Sequence, residues 1–155
     1  MFTLSHTMRV NDRKPHLTKT QIWKGLVLKA ENPVPFLDAM SACTVIERGD
    51  DWLIRDFTLR GEKMQESVTF EHEERVTFVR TKSSAMGTVI NEIIELDSGE
   101  MGLGFTFSLD IEGLEDGSAE EAEFANRMSK SYFQGIESTL AEIRRRLVAG
   151  ELDAS

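Results

Sequence analysis

The chain has 155 residues, 40% of them hydrophobic and 29% charged, and a formal net charge of -9. That acidic balance argues against nucleic-acid backbones and anionic membrane surfaces as partners, because both are met by clustered Lys and Arg. A single cysteine, Cys43, excludes an internal disulfide, and no run approaches the ~20 apolar residues of a membrane span.

The length fits one domain, 1–155, large enough to bury a substantial core. Met1-Phe2-Thr3-Leu4-Ser5 lacks the apolar core of a signal peptide, so a cytoplasmic home is the expectation. Residues 2–10 read as a strand, with Phe2, Leu4, Met8 and Val10 on one face, and Asn11 to Pro15 end it. A helix follows. Thr18 and Gln21 form a capping box, and Leu17 with Ile22 sits at the spacing of a hydrophobic staple. Ile22, Trp23, Leu26, Val27 and Ala30 give this helix its buried side, and Asn32-Pro33-Val34-Pro35-Phe36 breaks it. A second short helical turn is expected around 34–40. From Ala42 the period changes to two. Strands are expected near 42–48, 51–60, 63–71, 75–81, 86–96 and 100–110, joined by connections short enough to make consecutive strands antiparallel neighbours.

The last element is a helix over 118–150. Phe124, Met128, Tyr132, Gly135, Ile136, Thr139, Leu140, Ile143 and Leu147 recur at steps of three and four along one stripe. Ser118 with Glu121 predicts a capping box and Gly150 suits the stop. At ~1.5 Å per residue the helix is roughly 48 Å long and needs an equally long apolar surface. Gly135 and Thr139 leave room on the stripe where larger residues would fill it.

Turn lengths fix the strand faces. With Arg60-Gly61 as a two-residue loop, Leu59 opposes Glu62, Phe57 opposes Met64, Arg55 opposes Glu66 and Leu53 opposes Val68. With Asp97-Ser98-Gly99 as a three-residue loop and Gly99 left-handed, Ile93 opposes Leu103, Asn91 opposes Phe105 and Val89 opposes Phe107. Three polar groups, Arg55, Glu66 and Asn91, therefore align with apolar neighbours. Buried charge is costly unless paired, and Arg55 opposite Glu66 supplies a pair, with bidentate geometry open to the guanidinium. Such a pair either fixes strand register or faces an internal cavity and orients the polar end of a ligand. Tyr132, the only tyrosine, is either a core residue or a hydroxyl that bonds a ligand in that cavity.

Reactive chemistry is otherwise sparse. His6, His16 and His72 lie far apart and none has a ligand partner at metal spacing, so no metal and no cofactor is expected. There is no P-loop, G-x-G-x-x-G or G-x-S-x-G. Cys43 reads as a small apolar residue. Arg144-Arg145-Arg146 falls in the last turns of a helix, where it complements the dipole.

The order of elements, a strand, two short helices, six antiparallel strands and a long terminal helix, resembles the helix-grip fold of the START and Bet v 1 superfamily (SRPBCC). More narrowly it resembles the AtaL-like branch. The stretches that carry this are Leu17 to Leu26, Leu53-Ile54-Arg55-Asp56-Phe57 with Glu66-Ser67-Val68, Gly87-Thr88-Val89-Ile90-Asn91, and Leu103-Gly104-Phe105-Thr106-Phe107. The resemblance implies an α+β fold in which a curved seven-stranded antiparallel sheet wraps around the C-terminal helix, with a hydrophobic cavity between them. It also implies binding of lipids, sterols or polyketides. The turn at Arg48-Gly49-Asp50-Asp51 is too short for the glycine-rich loop of the plant allergens, and the acid–base residues of the polyketide cyclases find no match here.

The leading expectation is a module that binds a hydrophobic small molecule. Phe57, Val68, Phe105, Phe107, Met128, Tyr132 and Ile136 would form its walls, and Arg55, Glu66 and Asn91 would orient the ligand. The alternatives are a cyclase- or dehydratase-like enzyme, with Glu66 and Tyr132 as the titratable candidates, and an interaction protein with a filled core. A homodimer is compatible with each of them.

Overall fold

Within the computed structural model, which describes residues 1–152, the chain runs β1 (Phe2–Arg9), α1 (Lys19–Glu31), β2 (Met40–Arg48), β3 (Trp52–Leu59), β4 (Glu62–Glu71), β5 (Arg75–Lys82), β6 (Ala85–Glu95), β7 (Met101–Ile111) and α2 (Ala119–Val148). The last three residues of the expected 1–155 domain lie outside the described residues. All seven strands form one antiparallel sheet in the order β1-β7-β6-β5-β4-β3-β2. Five successive hairpins make the meander from β2 to β7. The first strand then pairs with the last, Phe2 opposite Leu109 and Arg9 opposite Gly102, so the consecutive strands β1 and β2 occupy opposite edges and α1 lies in the connection between them.

The hairpin registers follow from the turns. Arg60 (φ 48) and Gly61 (φ 82) both take left-handed backbone, as a two-residue hairpin loop demands, and Arg55 faces Glu66 with Leu53 facing Val68. Gly99 (φ 84) supplies the left-handed position of the last hairpin, which sets Asn91 against Phe105 and Val89 against Phe107. These registers put Leu53, Phe57, Val68, Leu103, Phe105 and Phe107 on the inner side of the sheet, where all six are buried. Register shifts in the β2–β3 and β4–β5 pairings add bends to the sheet.

Two local expectations are corrected. The connection after α1 holds no second helix: Leu37 N donates to Pro33 O at 2.9 Å and Phe36 N to the same oxygen at 2.9 Å, and the chain then enters β2 at Met40. Pro33 and Pro35 carry no N–H, and each disfavours helical backbone in the residue before it, so one tight turn is as far as the helix pattern extends. At the start of α2, Ser118 Oγ accepts from Glu121 N at 3.1 Å, but the Glu121 carboxylate accepts from Gly117 N at 3.1 Å, so the reciprocal half of the box is made one residue upstream. The box at α1 is complete, with Thr18 and Gln21 each accepting from the other's backbone N–H.

The two helices cross where α1 has no side chain. A Cβ built on Gly25 would lie 2.4 Å from Ile143 Cγ1, so only glycine lets Ile143 seat against α1. Ile136, Leu140 and Ile143 are buried there with Ile22 and Leu26 of α1. The three arginines near the end of α2 have structural partners. Arg145 and Arg146 bond Glu142, and Arg144 donates to the backbone oxygens of Val10 and Pro15.

Candidate ligand cavity

The N-terminal half of α2 meets the sheet along β1, where His6 Nε2 lies 2.8 Å from Ser129 Oγ, and leaves a space over the strands beyond. Between helix and sheet lies a cavity of about 340 Å³. Its wall on the sheet side comes from inward residues of β3 to β7, among them Phe78, Val89, Phe105, Phe107 and Leu109, and its lid from Phe124, Met128, Ser131, Tyr132 and Gly135 of α2. Leu37, Ala39 and Met40 border it where β2 begins. At the rim the exposed Arg60, in the β3–β4 turn, donates through Nη2 to Ser131 Oγ at 3.0 Å and links the sheet to the lid.

Of the ten residues expected from the sequence, seven meet at this cavity: Arg55, Glu66, Asn91, Phe105, Phe107, Met128 and Tyr132. The other three lie elsewhere. Val68 and Ile136 are fully buried in the packed core. Phe57 lies under the Arg55 guanidinium, 5.2 Å from Cζ to ring centre, and lines a separate cleft with Cys43 and Met64. Burial pushes the Cys43 thiol pKa up. The room expected at Thr139 is absent, since this residue is wholly buried and its hydroxyl donates back to Gly135 O at 2.7 Å. Gly135 does line the cavity, and a Cβ there would reach Leu37 and Phe105 only at ordinary contact distances of 3.6 and 3.9 Å.

The polar groups gather on one part of the wall. Arg55 donates through Nε (2.9 Å) and Nη2 to a single oxygen of Glu66, Oε1, rather than bridging both oxygens. Its Nη1 reaches the backbone oxygens of Lys29 (3.2 Å) and Ala30 (2.8 Å), at the C-terminus of α1. A cation there complements the negative end of the helix dipole. Glu66 Oε2 lies 3.9 Å from Arg80 Nε, beyond hydrogen-bond reach. Asn91 accepts through Oδ1 from Lys29 Nζ at 2.6 Å. The Tyr132 ring stacks on Phe107 with 2° between the planes, and burial pushes its phenol up to about 12 against a weaker downward pull from Arg80 and Arg60.

Residues 4–150 match the family AtaL, described as acetylaranotin biosynthesis cluster protein L. The chain belongs to the AtaL family. No curated protein matches it by sequence. Its fold is similar to that of the ZhuI aromatase/cyclase from Streptomyces sp. R1128, with a TM-score of 0.74 at 12% identity over 94% of this chain and 95% of that one. It is also similar to StfQ, the di-domain aromatase/cyclase of the steffimycin biosynthetic pathway (TM-score 0.73, 11% identity), where 94% of this chain covers 52% of the longer one. The protein Ara h 8.0201 matches at TM-score 0.54 and 12% identity, over 90% of this chain and 97% of that one. What these share with the AtaL-family chain is the START/Bet v 1-like helix-grip fold.

Two buried charged residues of the cavity in this AtaL-family protein were not among the residues expected from the sequence. Lys29 and Arg80 are 5% and 9% exposed and both line the cavity. The signal was present for each. Lys29 stands three residues after Leu26 and seven after Ile22, on the buried stripe of α1, and Arg80 follows Val76 and Phe78 at a spacing of two on the inward face of β5. Burial, with a smaller push from Arg55 and a partial offset by Glu66, lowers the Lys29 ammonium from 10.5 to about 7. Its Nζ lies over the rings of Phe105 and Phe78, 4.8 and 5.2 Å from their centres, which favours the charged form once a proton is present.

Proposed function

We propose that this AtaL-family protein binds a hydrophobic small molecule, a lipid, a sterol or a polyketide-like aromatic, in the cavity between the sheet and α2. The observation that carries this reading is the unfilled space of about 340 Å³ under the lid half of α2, a volume within the usual range for small-molecule pockets. Phe105, Phe107, Met128 and Tyr132 supply apolar and aromatic walls, with Arg55, Glu66 and Asn91 at the polar end. Val68 and Ile136 belong to the packed core that backs those walls. A thermal-shift panel of fatty acids, sterols and aromatic polyketides tests the reading. Stabilisation that saturates with one class, and is lost when Val89→Trp fills the cavity, is the expected result. A flat response across all three classes would overturn it.

A second reading is catalysis of a cyclisation or dehydration in the same cavity. One observation favours it: Lys29 faces the cavity with a proton affinity near neutrality, the range in which a general acid or base works best. Tyr132, pushed up to about 12, can act only as a proton donor near neutral pH. Single-turnover incubation with an aromatic-forming polyketone should show water loss that Lys29→Met abolishes. A rate equal to that in buffer would refute this reading and leave binding untouched.

A further inference from the structure

The wall of the cavity carries a positive excess that an apolar ligand alone would leave uncompensated. Lys29, Arg55 and Arg80 are 5%, 3% and 9% exposed, and the carboxylate buried among them is Glu66, at 3%; the other carboxylate of the lining, Glu62, is half-buried and accepts from Ser84 N and Oγ. Arg55 takes Oε1 of Glu66. Lys29 donates to the neutral amide of Asn91, and Arg80 donates through Nη1 to Ala85 O at 3.2 Å and stands 3.9 Å from Glu66 Oε2, outside hydrogen-bond reach. Buried cations are costly unless an anion lies beside them, and this excess occurs in a chain of net charge -9.

A second observation is independent of the charge count. Among the described residues, the buried side-chain atoms without a hydrogen-bond partner are Arg80 Nε, Asn91 Nδ2 and Tyr132 Oη. All three belong to residues that line this cavity, and each can donate. The orientation of Asn91 is set by Lys29, which occupies Oδ1 and leaves the NH2 end over. An orphaned buried donor in a folded protein calls for an explanation, and an absent ligand is one. Surplus donors beside surplus positive charge share one complement, an anionic oxygen group. A carboxylate offers two oxygens with about four acceptor sites and a single negative charge.

Building on the cavity-binding reading, we propose that the ligand is an apolar organic acid bound as its carboxylate, with that group received by Lys29, Arg80, Asn91 and Tyr132 and the apolar body lying against Phe105, Phe107 and Met128. Arg55 takes no part in holding it, being committed to Glu66 and to the end of α1. The groups that face Lys29 are Arg55 on β3, Glu66 on β4, the Phe78 ring on β5, Asn91 on β6 and the Phe105 ring on β7. A carboxylate arriving among them raises the proton affinity of Lys29, so binding near neutral pH takes up a fraction of a proton. Affinity then falls as pH rises above about 7 and the empty site loses the Lys29 proton.

The test pairs acids with their own neutral esters. Octanoate, decanoate, dodecanoate and naphthoate are titrated into the protein by calorimetry beside their methyl esters. A charge-assisted contact makes the acid roughly tenfold to a hundredfold tighter than its ester. The heat should also differ between buffers of unlike ionisation enthalpy, showing proton uptake. Lys29→Met and Arg80→Met should each shrink the acid–ester gap, and Lys29→Met should abolish the uptake; circular dichroism confirms that both variants are folded. Acids and esters that bind alike overturn this proposal and leave the cavity reading standing. A gap that survives in both variants places the carboxylate elsewhere and overturns it too. If neither series binds, the cavity reading fails and this proposal fails with it.

Discussion

Replacing Lys29 by Met removes a buried ammonium while keeping most of the volume of its stem. In the folded chain burial holds this group at about 7, against 10.5 unperturbed. The unfolded chain therefore keeps the proton up to about pH 10 while the folded chain releases it near 7, and between these limits the unfolded state binds more protons, so stability rises with pH. Below 7 both states are protonated and the whole penalty acts on the fold, about 5 kcal/mol at ~1.4 kcal/mol for each tenfold change in proton affinity. By about pH 9 roughly 2 kcal/mol of it remains. Against this, Met strands Asn91 Oδ1, which costs about 1–3 kcal/mol. Lys29→Met should thus stabilise the protein by about 2–4 kcal/mol near pH 6 and be close to neutral near pH 9. Urea unfolding of both proteins across that range measures the difference directly. Parallel stability curves would refute the reasoning, since they would mean that the folded and unfolded chains hold the Lys29 proton equally.

Glu66→Gln leaves Arg55 buried without its countercharge and should destabilise by about 3–5 kcal/mol, lowering Tm by on the order of 10 °C in a differential scan; Arg55→Met on top of it should recover part of that loss. Gly25→Ala puts a methyl against Ile143 and should cost about 1–3 kcal/mol by denaturant unfolding, with Ile143→Ala in the same chain giving a sub-additive sum as the marker of direct contact. Tyr132→Phe removes a hydroxyl that has no partner in the protein, so the empty protein should gain about 1 kcal/mol in urea unfolding while the acid–ester preference narrows. A loss of stability instead would show that the hydroxyl is already satisfied.

Strand register was the most legible feature of the chain, because two turns determined it. Arg60-Gly61 and Asp97-Ser98-Gly99 each demand left-handed backbone at set positions, and once those are placed the period of two carries Arg55 to Glu66 and Asn91 to Phe105 with no freedom left. Order within the sheet followed from loop length. The membership of β1 in the sheet had no such local cause and came only with the resemblance of the whole element order, and its pairing with β7 is seen only in the structure. The second helix failed where a short-range pattern met proline chemistry. Lys29 and Arg80 were passed over for another reason: a charged residue on an apolar stripe reads as a solvated interruption unless something opposite is known to receive it, and the receiver of Lys29 is Asn91, 62 residues away.

The division of labour in α2 explains how a packed core and an open cavity coexist beneath one helix. From Ile136 to Ile143 its stripe is seated against α1, with Gly25 removing the side chain that would hold the helices apart. The half from Phe124 to Gly135 lies over the sheet on its own contacts, Tyr132 stacked on Phe107 and His6 bonded to Ser129, and Arg60 to Ser131 ties its rim. The polar wall starts at α1. The C-terminus of α1 ends at the cavity with its last carbonyls turned to Arg55, and Arg55 draws Glu66 to itself. Arg55 thereby takes the last carbonyls of α1 and one oxygen of Glu66. Lys29, delivered by the last turn of the same helix, and Arg80, one strand beyond Glu66, share what is left of that carboxylate, and Arg80 stands 3.9 Å from its nearer oxygen. The Arg55–Glu66 pair is therefore the structural element of the site, and the charge available to a ligand belongs to the two cations on either side of it.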